Sequence, residues 1–198
     1  MKLLGKLLLG IIAIAVVGVL FGLWRASGAR DADDRYHVYI PKTLVLRSES
    51  FAAGGEIPSR FTCKGAGSSP QLSWLPAPQN TQSYALIMMD WDGPSPYLRL
   101  GNFTHWILYD VPPDTHEIKA SVTATDLSQA KIKAGNNSSD ATDYTPACPP
   151  MGAHRYVFRV YALDVPTLHP ADRDRQAIFE AMRGHVLAFG ELQGFFGG

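Results

Sequence analysis

Residues 84–94 read YALIMMDWDGP: six apolar residues in succession, two carboxylates around a tryptophan, then Gly-Pro. An unbroken apolar run of this length, ended by a turn cluster, is the pattern of a strand buried on both faces, so it belongs near the centre of a sheet. Two further segments, HWILYDV at 105–111 and RYVFRVYAL at 155–163, carry the β-branched and aromatic content of strands. Leu44, Leu46 and Phe51 suggest an early strand, and Leu72 with Trp74 a short one between Gly-, Ser- and Pro-rich loops. Residues 123–147 are polar, contain Asn136-Asn137-Ser138-Ser139 and read mostly as loop. Beyond Pro170 the period changes: Ala177, Ile178, Ala181 and Met182 fall at helical spacing, and His185 to Leu192 is predicted as a second short helix. The expected fold is mainly antiparallel β (α+β) with C-terminal helices, in one domain over residues 39–198.

The N-terminus is of another kind. Leu7 to Trp24 contains no charge, and eighteen residues at the helical rise are just long enough to cross a hydrocarbon core. Residues 1–24 are therefore read as a membrane anchor, with a cleaved signal peptide as the alternative, since Ser27-Gly28-Ala29 offers small residues at a cleavage position. Lys2 and Lys6 before the run against Arg25 and Arg30 after it give a slight bias towards an inside N-terminus. Either reading exports the domain, to the outer face of a cytoplasmic membrane or to free solution. Residues 25–38 are small and charged without apolar periodicity, and are expected to be a linker.

Those four basic residues include all the charge of the first thirty positions, so the remainder holds 14 basic against 18 acidic residues. A slightly acidic domain is a poor partner for nucleic acid, whose backbone calls for a basic face. Cys63 and Cys148 form no C-x-x-C pair; they are either one disulfide of an exported domain or two separate buried thiols. Common hydrolase, zinc-protease, nucleotide and dinucleotide fingerprints do not occur, and neither a cofactor nor a metal is expected.

Four polar residues stand at strand ends. Asp90 and Asp92, two apart, aim the same way if the chain stays extended there, or else satisfy the turn before Gly93-Pro94. His105 opens a strand on which alternation gives it the face of Ile107 and Tyr109. His154 shares a face with Tyr156 and Phe158 and follows the rigid turn Cys148-Pro149-Pro150-Met151-Gly152. Arg155 and Arg159 take the opposite face with Val157, as solvated or ion-paired groups. His37, His116 and His169 sit in linker or loop contexts and receive no role.

In order along the chain, IPSRFTCKG, SPQLSW, ALIMMDWDGP, HWILYDVP, CPP-x-G-x-HRYVFRVYALD and GHVLA resemble the phosphatidylethanolamine-binding protein family, most closely its bacterial Raf-kinase-inhibitor-like branch. The resemblance runs from about Leu44 to Phe196. It implies a β-sandwich of two antiparallel sheets in Greek-key order, with small flanking helices and one pocket near the sheet ends. It also implies ligand-binding positions at Asp90, Asp92, His105, Pro149, His154 and Tyr156, around a small phosphate-type anion or phospholipid head group. Two departures touch that pocket: Trp91 and Gly93 replace the family's Pro and Ala in the acidic loop, and Pro146-Ala147 stands where Gly-Pro is usual. The indole of Trp91 is expected to narrow the pocket mouth or wall it.

Two carboxylates beside an anion repel it, by more than about 1 kcal/mol at interfacial dielectric. The conflict is resolved if Asp90 or Asp92 orients an imidazole while His105, His154, Tyr156 and backbone N–H groups donate to the anion. A non-enzymatic binding protein is thus expected. A kinase- or protease-inhibiting interaction module is the alternative, and an Asp/His phosphodiester hydrolase follows after it, because no activated nucleophile accompanies the pair.

Overall fold

The computed structural model describes residues 2–197, so Met1 and Gly198, the outer limits of the segments delimited above, lie outside the described residues. A mixed α+β fold is formed, with two sheets, few helices and an N-terminal apolar helix. The larger sheet has six strands in the order β2-β9-β8-β4-β5-β7, and the smaller has three, β1-β3-β6. Their ranges are β1 Val45–Arg47, β2 Gly55–Glu56, β3 Leu72–Leu75, β4 Ser83–Gly93, β5 Gly101–Val111, β6 Glu117–Ile118, β7 Lys133–Ala134, β8 His154–Leu163 and β9 Val186–Phe196. The run at 84–94 does lie centrally: β4 pairs antiparallel with β5 on one side and β8 on the other, and all its residues but the last are buried.

Two apolar layers follow from the two faces of β4. Leu86 and Met88, with Trp106, Phe158, Val160 and Leu192, meet Leu46, Leu72 and Trp74 of the small sheet and form the interior of the sandwich. Ala85, Ile87, Met89 and Trp91, with Val157, Tyr161 and Phe189, form the second layer. Two helices cover that face: α3 (Arg175–Met182) through Ile178 and Met182, and the end of α1 through Ala29 and Tyr36. Between the sheets' connections, α2 (Ala124–Gln129) begins at a capping box of Thr123 and Asp126, the one regular helix within the polar 123–147 segment.

Three expectations are corrected. His185 to Leu192 is not a helix but most of β9, which runs antiparallel along the whole of β8. Its Val186-Leu187-Ala188-Phe189 core fits either period, and pairing along the full length of β8 decides for the strand. The large sheet is not wholly antiparallel, because β2 joins β9 in parallel. Residues 25–38 are not an irregular linker: α1 is one helix over Lys2–His37, about 54 Å long at the helical rise.

That helix binds the domain through a stripe that sequence reading overlooked. Gly22, Ala26, Ala29, Asp33 and Tyr36–His37 recur at three- and four-residue intervals, and Ala26 and Asp33 are buried. Small residues let the helix lie close to the sheet, and polar ones lock it there. Arg159 Nη1 donates to Asp33 Oδ2 at 2.6 Å, and its Nε donates to Glu191 Oε2 at 2.8 Å. Tyr161 Oη lies 2.8 Å from His37 Nε2, and Tyr36 stacks edge-on with Phe179.

Candidate functional site

The sequence-derived polar residues lie around the ends of β4 and β8, and the backbone register explains their grouping. Asp90 is paired with Tyr156 across β4 and β8. On β5 the register slips by one: Met88 pairs with Trp106 but Met89 with Thr104, so His105 is an extra, bulged residue. Simple alternation gave His105 the face of Ile107. The bulge turns it to the sandwich interior instead, where its ring meets Tyr156 edge-on at 5.2 Å between centroids. His154 stacks on the same phenol at 6.4 Å.

Each imidazole is held by one nitrogen. Asp90 Oδ2 lies 2.7 Å from His154 Nδ1, and a carboxylate only accepts, so Nδ1 carries the proton. The other carboxylate oxygen of Asp90 accepts from the Asp92 backbone N–H at 2.7 Å. His105 Nδ1 is 2.8 Å from the Thr145 carbonyl, which again must be the acceptor. The same residue returns a bond, its N–H donating to the His105 carbonyl at 3.0 Å. Asn137, buried, donates to the Asp143 carbonyl and to Thr145 Oγ1, fixing the loop that supplies this clamp. Both rings therefore offer Nε2 to a ligand. His154 Nε2 and Tyr156 Oη are buried without a well-aligned hydrogen-bond partner among the described residues, the Cys148 backbone acting on the phenol without that alignment.

Burial lowers the pKa of His105 below the ordinary histidine value, against an opposing pull from the Thr145 carbonyl and Asp90. Burial likewise raises the Tyr156 phenol, and the Asp90 charge adds to it. His105 is then neutral at neutral pH with an unprotonated Nε2, while Tyr156 keeps its proton and remains a donor.

Asp92 lies beside this group but bonds neither imidazole. Its Oδ2 accepts from the Arg155 backbone N–H at 2.9 Å, and Oδ1 sits 3.1 Å from Arg99 Nε without hydrogen-bond alignment. The likeness in aim expected from i, i+2 spacing is lost because pairing with β5 is irregular between Asp90 and Gly93. Trp91 points to the other side of the sheet, where it is buried in the helix-covered layer under the Arg175 guanidinium. It neither narrows nor walls the site, contrary to expectation, since alternation sends it through the sheet. Pro149 is half-buried, its ring against Gly197 so closely that a Cβ there would come within 2.5 Å of it. Lacking an N–H, Pro149 has no donor for an anion; it shapes the turn.

The turn before His154 is pinned covalently. Cys63 and Cys148 form a disulfide, Thr62 bridges to Ala147, and the Cys63 N–H donates to the Ala147 carbonyl. Sequence reading missed Thr145, which acts through backbone atoms and leaves no side-chain signal. It also missed Arg99, whose only signal was a lone cation in the loop after the acidic pair.

A second polar feature lies on the opposite face. A cleft of about 460 Å³ between α1 and the large sheet is lined by Arg30, Asp33, Arg99, Arg155, Arg159 and Glu191, among others. No group of three or more metal-ligating side chains occurs among the described residues.

Comparison with known proteins fits this architecture. The phosphatidylethanolamine-binding protein family matches residues 47–197, a span that leaves α1 outside it. A UPF0098 protein of Methanothermobacter thermautotrophicus is 40% identical over 155 residues, covering 77% of this chain and 98% of that one. A crystal structure of a phosphatidylethanolamine-binding protein homologue from Chlamydia trachomatis superposes with a TM-score of 0.70 at 33% identity, over 79% of this chain and 99% of that chain. Escherichia coli YbcL, described as a member of the mammalian family, shares the fold alone, with a TM-score of 0.68 and 21% identity over 77% of this chain and 97% of its own.

Proposed function

The chain belongs to the phosphatidylethanolamine-binding protein family, and from that premise we propose that His105, His154 and Tyr156 bind a small phosphate-type anion, free or as a phospholipid head group, without turning it over. The observation that carries this reading is the pair of buried polar atoms without well-aligned partners, His154 Nε2 and Tyr156 Oη, on rings held by other contacts. Buried polar groups without partners are costly, and a tetrahedral anion accepting from Tyr156 Oη, and from His154 Nε2 when that ring carries a proton on both nitrogens, would satisfy them. Asp90 has the role of orienting His154, with both its oxygens engaged, so the carboxylate need not face the anion. Neither imidazole bonds a serine, threonine or cysteine side chain that it would activate, which favours binding over catalysis.

Because His105 Nε2 is an acceptor while neutral, it must take up a proton to donate to an anion. Affinity should then rise as pH falls below the ordinary histidine value towards the lowered one. Calorimetry with phosphoethanolamine, and with sulfate, whose own charge is constant over this range, tests both points. His154→Ala and His105→Ala should each weaken binding about 10- to 100-fold, the worth of one charge-assisted hydrogen bond. A pH-independent affinity for sulfate that neither substitution changes overturns the reading.

The same proposal places the domain on the exported side of a membrane, tethered by α1. Among the described residues one helix is long and apolar enough to cross, and no residue of its apolar window is buried by the domain. The Cys63–Cys148 disulfide suits an oxidising compartment. Intact mass of the membrane fraction tests the tether: a mature N-terminus near Arg30 would replace it with a cleaved signal.

A further inference from the structure

The apolar run of α1 and the part of α1 held by the domain overlap. The run Leu7–Trp24 rises about 27 Å, slightly less than the roughly 30 Å of a hydrocarbon core. Yet the domain reaches α1 already at Gly22, where a Cβ would lie 3.4 Å from Leu100 Cδ2. Further along the helix, Ala26 is buried, and Arg30 Nη1 donates to the Arg99 carbonyl at 3.2 Å. The stretch clear of the domain, Leu7–Phe21, rises only about 22 Å. A spanning α1 must therefore draw the β4–β5 loop, residues 94–100, down to the level of the bilayer surface.

The loop is built for that depth. Its tip presents Tyr97, 92% exposed, and Leu98, 41% exposed, and α1 presents Trp24, 71% exposed, at the end of its apolar run. Tyrosine and tryptophan are the residues of the membrane interface, where an apolar ring and a polar edge are both satisfied. Arg25 follows Trp24 directly, and Arg30, six residues or about 9 Å beyond Trp24 along the helix, lines with Arg99 the cleft beyond. We propose that the β4–β5 loop is a second membrane contact, with Tyr97 and Leu98 embedded in the lipid interface and Arg25, Arg30 and Arg99 at the level of the phosphates. The domain is then not a free head on a tether but is seated on the bilayer, its Asp92–Arg99 pair at head-group height. This inference rests on the tether in the reading above and not on its anion site.

The test uses the full chain in vesicles of phosphatidylcholine and phosphatidylglycerol, with an environment-sensitive fluorophore on Tyr97→Cys or, separately, Leu98→Cys. Gln79→Cys is the control: it is exposed and precedes the opposite end of β4, eleven residues or about 36 Å away along the strand. The labels at 97 and 98 should be blue-shifted and quenched several-fold more than that at 79 by lipids spin-labelled near the carbonyl. If alkaline washing leaves the chain in the vesicles but 97 and 98 are quenched no more than 79, the seating is wrong and the tether stands. If washing removes the chain, tether and seating fall together. Sulfate calorimetry reports on the anion site independently in either case.

Discussion

Arg159→Met should release α1 from the domain before it unfolds the domain. The guanidinium joins Asp33 of α1 to Glu191 of β9, and the three side chains are 12%, 5% and 11% exposed. Glu191 retains Lys42 at 3.0 Å when Arg159 is lost, but Asp33 is left with only the His37 ring at 3.8 Å. Stranding one buried charge costs about 3–5 kcal/mol. Asp33 can escape that cost by moving into water with its helix, so the penalty falls on docking and is capped by the docking free energy. Once undocked, the segment Arg25–His37 loses the tertiary packing that stabilises it and frays from its His37 end. Amide hydrogen exchange over Ala26–His37, followed by mass spectrometry in nanodiscs, should therefore accelerate. A loss of about 3 kcal/mol corresponds to roughly 150-fold. The double variant Asp33→Ala/Arg159→Met strands no charge and should recover about 2 kcal/mol of the loss. Unchanged exchange in Arg159→Met, or a double variant as fast as the single, would refute the account of the ion-paired lock.

Two further outcomes follow from the same structure. Burial works against the Glu191 carboxylate, but its bonds from Arg159, Lys42 and Gln193 outweigh it and hold the carboxyl at about 2 against an ordinary 4.5. A depressed value contributes stability that is complete above the ordinary value and lost as pH falls towards about 2; the gap is worth at most about 3 kcal/mol, and roughly 1–2 after solvent screening. The difference in thermal midpoint between wild type and Glu191→Gln should shrink over that window, and a pH-independent difference contradicts it. The disulfide closes a loop of sequence separation 85 and ties the turn before His154 to the segment after Phe61. Cys63→Ala/Cys148→Ala should cost about 2–4 kcal/mol in urea denaturation and shift the His154 and Tyr156 resonances; an unperturbed pair would show that the turn is held by its hydrogen bonds alone.

Sequence alone determined the centre of the sheet and the chemistry gathered at its end. The run at 84–94 and the segments at 105–111 and 155–163 are each apolar enough, and regular enough, that burial dictates their strands whatever surrounds them. Six ordered motifs pointed to the family, and with it to Asp90, His105, His154 and Tyr156. What escaped was set by interactions between segments distant in sequence. Val186–Phe196 fits two periods, and pairing along β8 chose one. His105 faces Tyr156 only because an extra residue in β5 breaks the alternation, while Trp91 passes to the α3 layer and Asp92 bonds the Arg155 backbone beside His154 instead of an imidazole. The segment after Trp24 looked structureless because its stripe of small and charged residues has meaning only against Arg159, Tyr161 and Glu191. Local pattern reports which residues must be buried; which face a bulged or amphipathic residue takes, and what it meets there, is decided by the free energy of the assembled layers.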